Sequence, residues 1–145
     1  MRPWDIGQHR KEHPTMSLAI TTLYALPLIA IWFVLWIGVT SKRSEMKTSI
    51  GDAGSPQLLQ IIRRHGNFIE WVPFVLVLMI MNELQGTGST WLHAAGILLL
   101  IGRIAHPFGL AIDNAGHPLR YVGNGTNILA VAILFISLLR LKFSF

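Results

Sequence analysis

The chain has 145 residues, of which 52% are hydrophobic and 13% charged, with a net charge of +5 and no cysteine. Soluble domains carry roughly 25% charged residues, so a single water-soluble domain is disfavoured and an apolar solvent, the bilayer, is implied. Without cysteine the protein has no disulfide, no thiolate nucleophile of its own and no Cys-ligated metal, so any thiol chemistry needs a thiol brought by a small molecule.

Residues 1–15 are polar and include Arg2, Trp4, His9, Arg10, Lys11, His13 and Pro14. They are expected as an extension ahead of one domain at 16–145. Residues 18–40 then run without a charge, and 23 residues in a helix reach across the ~30 Å hydrocarbon core. The run is too long for a signal peptide and lacks a small-residue cleavage site, so it is read as a retained span, with Pro27 inside it.

The Gly-Asp-Ala-Gly-Ser-Pro run at 51–56 reads as a loop ending before a second helix. That helix is expected to start after Pro56, where Leu58, Leu59, Ile61 and Ile62 recur at helical spacing, and to run to Leu84. Its apolar part from Gly66 onward is broken by Glu70, Asn82 and Glu83. Uncharged stretches at 84–102 and 121–139 supply spans three and four. Trp32, Trp36, Trp71, Trp91 and Tyr121 are expected near span ends, as interfacial aromatics. The predicted fold class is therefore all-α, an integral membrane four-helix bundle.

Four spans put the loop after span one and the loop after span three on one side. That side holds Lys42, Arg43, Lys47, Arg63, Arg64, Arg103 and Arg120; the other holds Arg140 and Lys142, plus Arg2, Arg10 and Lys11 of the extension. The positive-inside rule places both loops in the cytosol and both termini outside. The basic residues fall between apolar stretches and form no run beside aromatics, so lipid rather than nucleic acid is the expected partner. No metal-ligand spacing and no serine-hydrolase elbow is present.

Charged residues inside spans are expensive and face the bundle interior or a partner. On span two, Arg63, Asn67 and Glu70 share a narrow arc at 100° per residue, with Gly66 beside it leaving room for a close approach. On span three, Arg103 and His106 share a face. A Glu70–Arg103 pair is the economical arrangement, and the five residues together would form a net positive pocket suited to a small carboxylate ligand. Plainer readings stand beside this one: Arg63 and Arg64 snorkelling to headgroups, Glu70 and Arg103 as a structural ion pair, His65 packing between helices, His106 marking a helix end before Pro107. His93 and His117 read as interfacial.

The stretch Arg63-Arg64-His65-Gly66-Asn67-Phe68-Ile69-Glu70, with Pro73 one turn on, resembles the second-helix motif of the MAPEG family, membrane-associated proteins in eicosanoid and glutathione metabolism. Arg103-Ile-Ala-His106 is similar to that family's Arg-x-x-His element, and the loop at 51–54 and Arg120 resemble bacterial inner-membrane members. The resemblance covers about 18–140. It implies a homotrimer with glutathione held between subunits near the cytosolic side by Arg63, His65, Asn67, Glu70, Arg103 and His106. Arg120 would stabilise the thiolate for attack on a lipophilic small molecule, in a transferase or peroxidase. Two positions depart from the family pattern: Leu110 stands where many eukaryotic members carry Tyr, and Ser41 where many carry Arg. The alternatives are a non-catalytic lipid-binding or scaffolding member, and a small transporter using Glu70 as an ion site.

Overall fold

The structure, a computed structural model, describes residues 17–143; the extension predicted at 1–15 lies outside the described residues. Four helices follow in order: α1 (Ala19–Glu45), α2 (Pro56–Leu84), α3 (Ser89–Gly109) and α4 (Pro118–Phe143). Each is long and apolar enough to cross a membrane.

Local chemistry sets the ends. Ser55 caps α2, its Oγ accepting from the Leu58 amide at 3.3 Å, and Pro56 takes the first helical position, where its missing N–H is not needed. The run expected as a loop at 51–56 is loop only through Ser55, because Pro56 already opens α2. The α2–α3 connection is only residues 85–88, and Gly86 turns it at φ +81, a conformation that favours glycine. Counting uncharged residues had opened the third span at 84 and closed it at 102. Helix α3 instead starts at Ser89, beyond this turn, and runs to Gly109, taking in Arg103, His106 and Pro107. His106 is therefore inside the helix, one residue before Pro107, and does not end it. Two of the expected interfacial aromatics are also relocated: Trp32 lies in the middle of α1, and Trp71 in the middle of α2.

Helix α1 supplies no cap of its own: Leu18 precedes it without a side-chain hydrogen bond. The carboxylate of Glu83, at the far end of α2, accepts from the amides of Ile20 and Thr21 at 2.8 Å each and from the Thr21 hydroxyl at 2.6 Å. This fixes α1 and α2 as antiparallel. At the opposite end, Gln60 Nε2 and Arg64 Nη2 donate to the Leu110 carbonyl at 2.5 and 3.2 Å, joining the start of α2 to the end of α3. Helices α2 and α3 touch both remaining helices and each other, whereas α1 and α4 lie on opposite flanks and do not meet.

The described polar residues inside the bundle accompany an apolar core, and large apolar side chains cover its outside. Thr21, Asn82, Arg103, His106, Asn127 and Ser137 are buried, while Leu26, Val34, Phe74, Phe108, Ile128 and Phe135 are exposed. A water-soluble bundle has the reverse preference; lipid around the helices explains this one. The apolar core runs through Leu28, Phe68, Val75, Met79, Leu99 and Leu134. Close approach of α3 to its neighbours depends on glycine: a Cβ on Gly96 would strike the Tyr24 ring, and one on Gly102 would lie 2.5 Å from Asn127 Oδ1 and Thr126 Oγ1.

Candidate functional site

Of the polar residues singled out in the sequence, Arg63, His65, Asn67, Arg103, His106 and Arg120 lie toward the end of the bundle formed by the loops at 46–55 and 110–117, while Glu70 is at the middle of α2. Arg103 is at their centre. It is 1% exposed, and its guanidinium spans three helices. Nη1 donates to Asn67 Oδ1 at 2.7 Å and to the Asn67 carbonyl at 3.3 Å on α2; Nη2 donates to the Gly123 carbonyl at 3.3 Å on α4. Nε has no partner, and no carboxylate lies within ion-pair distance among the described residues. A permanent cation is thus held inside the bundle by neutral acceptors alone.

The expected Glu70–Arg103 pair is not formed. Glu70 instead meets Arg63, with Nη1 to Oε1 at 3.7 Å, and both side chains are more than half exposed, at 53% and 58%. Seven residues apart, the two sit on one stripe of α2, two turns from each other, which one-helix geometry allows without any help from α3. Asn67 lies between them in sequence and takes Arg103 instead. Gly66 flanks the stripe with open space, since an added Cβ would find only Arg63 Nη1, at 3.9 Å.

The histidines separate from this group. His65 turns toward α1, its ring centroid 6.3 Å from that of Trp32, and its buried Nε2 has no hydrogen-bond partner. His106 is 3% exposed and packs on α4, where a Cβ at Gly123 would lie 2.6 Å from His106 Cβ. Arg120, at the start of α4, donates from Nη1 to the Ala115 carbonyl at 3.2 Å. Its backbone is brought against α3 by Gly109, where a Cβ would lie 2.7 Å from Arg120 Cα.

At the position where many relatives carry Arg, Ser41 is exposed; next to it Lys42 Nζ is engaged with Glu45 Oε1 at 2.7 Å. Arg43 Nη1 is buried without a partner. Leu110, in place of the Tyr of many eukaryotic members, contributes its carbonyl as the acceptor for Gln60 and Arg64.

Three participants were not assigned to the site from the sequence. Gly123 supplies the carbonyl that receives Arg103. Gly109 sets the approach of Arg120. Asn127, one turn beyond Gly123, is fully buried with neither amide atom paired. A glycine carbonyl leaves no sequence signal, but an Asn inside a 19-residue uncharged run does, because an unpaired amide in a span is costly.

An apolar groove of about 310 Å³ opens beside Arg103 between α1 and α3, lined by Ala30, Ile31, Val34, Ile104, Pro107 and Phe108. The site thus combines an exposed ion pair, a buried cation and an apolar groove on the lipid side.

The inner membrane protein YecN of Escherichia coli strain K12 is 33% identical to this chain over 90 residues, covering 62% of this chain and 69% of that protein. The protein of the same name in E. coli O6:H1 strain CFT073 matches equally. The model of the MAPEG family matches residues 20–140, which takes in all of α2 and α3 and every residue of the polar cluster. With four spans in this order and that match over most of its length, the chain belongs to the MAPEG family.

Proposed function

We propose that the protein is a trimeric, glutathione-binding enzyme of the bacterial inner membrane, transferring the peptide's thiol to lipophilic electrophiles or reducing lipophilic peroxides with it. The observation that carries this reading is the Arg63–Glu70 pair. Glu70 is the middle residue of α2, about 21 Å from either helix end at 1.5 Å per residue. An exposed carboxylate at that depth faces lipid in a lone bundle, at a cost of a few kcal/mol. A neighbouring copy that covers it removes this cost and encloses a polar site between subunits.

Glutathione offers two carboxylates, an ammonium group and a thiol. The residues present fit those groups: the Arg63 guanidinium is exposed for a bidentate carboxylate contact, Glu70 accepts from an ammonium, and Arg103 places a positive field behind both. The thiol, once ionised, supplies the nucleophile. The protein's part is to hold the peptide and to favour the thiolate over a thiol of ordinary pKa, ~8.5. Arg120 is the residue assigned to that second task, with its guanidinium at the start of α4 and its backbone against α3. In transfer, the sulfur–carbon bond forms as the electrophile's leaving group departs with its electron pair. The groove between α1 and α3 opens to the bilayer, the source of such electrophiles.

A second reading has an observation in its favour. The Arg103 guanidinium bonds Asn67 on α2 and Gly123 on α4, so the residue already has a structural task in tying those helices together. A non-catalytic lipid-binding or scaffolding member would need no more than that. Calorimetry of glutathione binding to the purified protein, with the absorbance of the bound thiolate followed in parallel, separates the two. Micromolar to millimolar binding that Arg63→Ala and Glu70→Gln each weaken about tenfold, as loss of a charge-assisted contact would, supports the enzyme. Binding without thiolate absorbance removes Arg120 from its role. No heat of binding at all sinks the enzyme reading and leaves the scaffold.

A further inference from the structure

The opposite end of the bundle holds a second cleft, remote from the residues discussed above. Its volume is about 160 Å³, and its walls are the α2–α3 turn (Thr87, Gly88), Trp91 of α3, and Ile136, Ser137 and Arg140 of α4. Four properties of this cleft point to one kind of ligand.

The first is charge. Arg140 places its guanidinium carbon 5.9 Å from the Trp91 ring centroid and has no carboxylate within ion-pair distance among the described residues. The second is a helix end. Gly88 caps α3 without a side-chain hydrogen bond and no acidic residue stands in the first turn; the Trp91 amide is taken by the Gly88 carbonyl at 3.0 Å, which leaves the Ser89 and Thr90 amides at the positive end of this 21-residue helix. The carbonyls at the end of α2 next to it are already satisfied, by the amides of Gln85, Gly86 and Thr87. The third is independent of both: Ser137 is 7% exposed, it lines the cleft, and its hydroxyl has no hydrogen-bond partner among the described residues. A hydroxyl on a largely buried residue that lines the cleft and has no partner can donate to a ligand there. The fourth is the floor and exit. Ile136 lines the cleft, and Phe135, Ile128 and Leu129 continue as exposed apolar side chains along α4 into the membrane-spanning part.

We infer that this cleft binds the phosphodiester of a phospholipid, with the phosphate between Arg140, the Ser137 hydroxyl and the start of α3, and an acyl chain along the outer face of α4. Trp91 fits such a place, because indole rings settle at the headgroup level and one face here is taken by Arg140. A free inorganic anion would use the same donors but gain nothing from the apolar exit, and this difference selects the lipid. The site does not depend on glutathione binding at the other end.

Native mass spectrometry of the full chain released from mild detergent, with phosphatidylglycerol added, tests the assignment. One phospholipid adduct per chain is expected on the unaltered protein. Arg140→Gln should lower its occupancy on the order of tenfold, as loss of a charge-assisted contact does. Ser137→Ala, a change too small to threaten folding, should lower it severalfold. Lys142→Gln, two residues on and outside the cleft, should leave it unchanged, and millimolar inorganic phosphate should not displace it. Equal losses from Arg140→Gln and Lys142→Gln would mean diffuse charge attraction and overturn the site. Displacement by inorganic phosphate would overturn the lipid and leave a free-anion site, and an adduct indifferent to both Arg140→Gln and Ser137→Ala would place the lipid elsewhere.

Discussion

Arg103 and Asn127 lie on facing surfaces of α3 and α4, and their hydrogen-bonding situations are opposite. Arg103 has three bonds to two helices, and shortening it would leave the Asn67 side-chain oxygen without its donor and the Gly123 carbonyl with only the weaker Thr126 hydroxyl contact at 3.4 Å beside its helix bond. Arg103→Lys keeps the charge but cannot reach both acceptors, because an ammonium lacks the planar fork. It is expected to cost about 2 kcal/mol, as a lower thermal midpoint in detergent. Asn127 is the reverse case: fully buried, unpaired at both amide atoms, and so a desolvation cost with no return. Asn127→Leu removes that cost at similar volume and should stabilise by about 1 kcal/mol. A destabilised Asn127→Leu protein would show that the amide has a partner in the assembled membrane form.

The helices were legible as elements because apolar runs of this length have one structural solution in lipid, and the loop at 51–55 and the Pro56 start follow from turn chemistry. Their ends were less so, since charges mark where a run stops being apolar, not where a helix stops. Partner choice was the least legible level. Along α2 the shared arc brings Arg63 to Glu70, but a helical wheel ranks angles on one helix and says nothing about depth on the next. Hence Asn67, not Glu70, meets Arg103. Glu83 was visible only as a flaw in span two; its role as the cap of α1 depends on a residue 62 positions away. That cap is testable on its own. Glu83→Gln keeps the shape but loses the charge, and about 1 kcal/mol of capping with it. Faster hydrogen exchange at the Ile20 and Thr21 amides is the expected signature, with the α3–α4 amides unaffected. Among the glycines of α3 and α4, Gly96, Gly102 and Gly123 sit at close contacts within the chain, while Gly125 faces open space. Gly125→Ala should therefore leave the single bundle intact.

For the whole molecule, the exposed Arg63–Glu70 stripe is a charged feature that a single bundle in lipid does not accommodate. Association of copies through that stripe accounts for it, and chemical cross-linking in membranes should then give three chains and no more. Crosslinks through α2 should weaken in Glu70→Gln if the carboxylate is covered by the neighbour. A strictly monomeric protein would leave the carboxylate facing lipid and remove the main support for an intersubunit site. Orientation is an independent matter. The excess of basic residues at the Arg63–Arg120 end predicts that a reporter fused after Phe145 is active on the periplasmic side, and a cytosolic signal would invert the site's exposure to cellular glutathione.

The Glu83 cap also bears on how the chain is made. Synthesis proceeds from the N-terminus, so α1 leaves the ribosome long before the residue that satisfies its first amides. Until α2 is complete, α1 stands at the membrane edge with donors that only headgroups or water can serve. Helix α1 can enter lipid by itself, but its start is tied down only in the α1–α2 hairpin. In a nascent chain stalled in the 46–55 loop the Ile20 and Thr21 amides should exchange quickly, and in one stalled after Leu84 has emerged they should be protected.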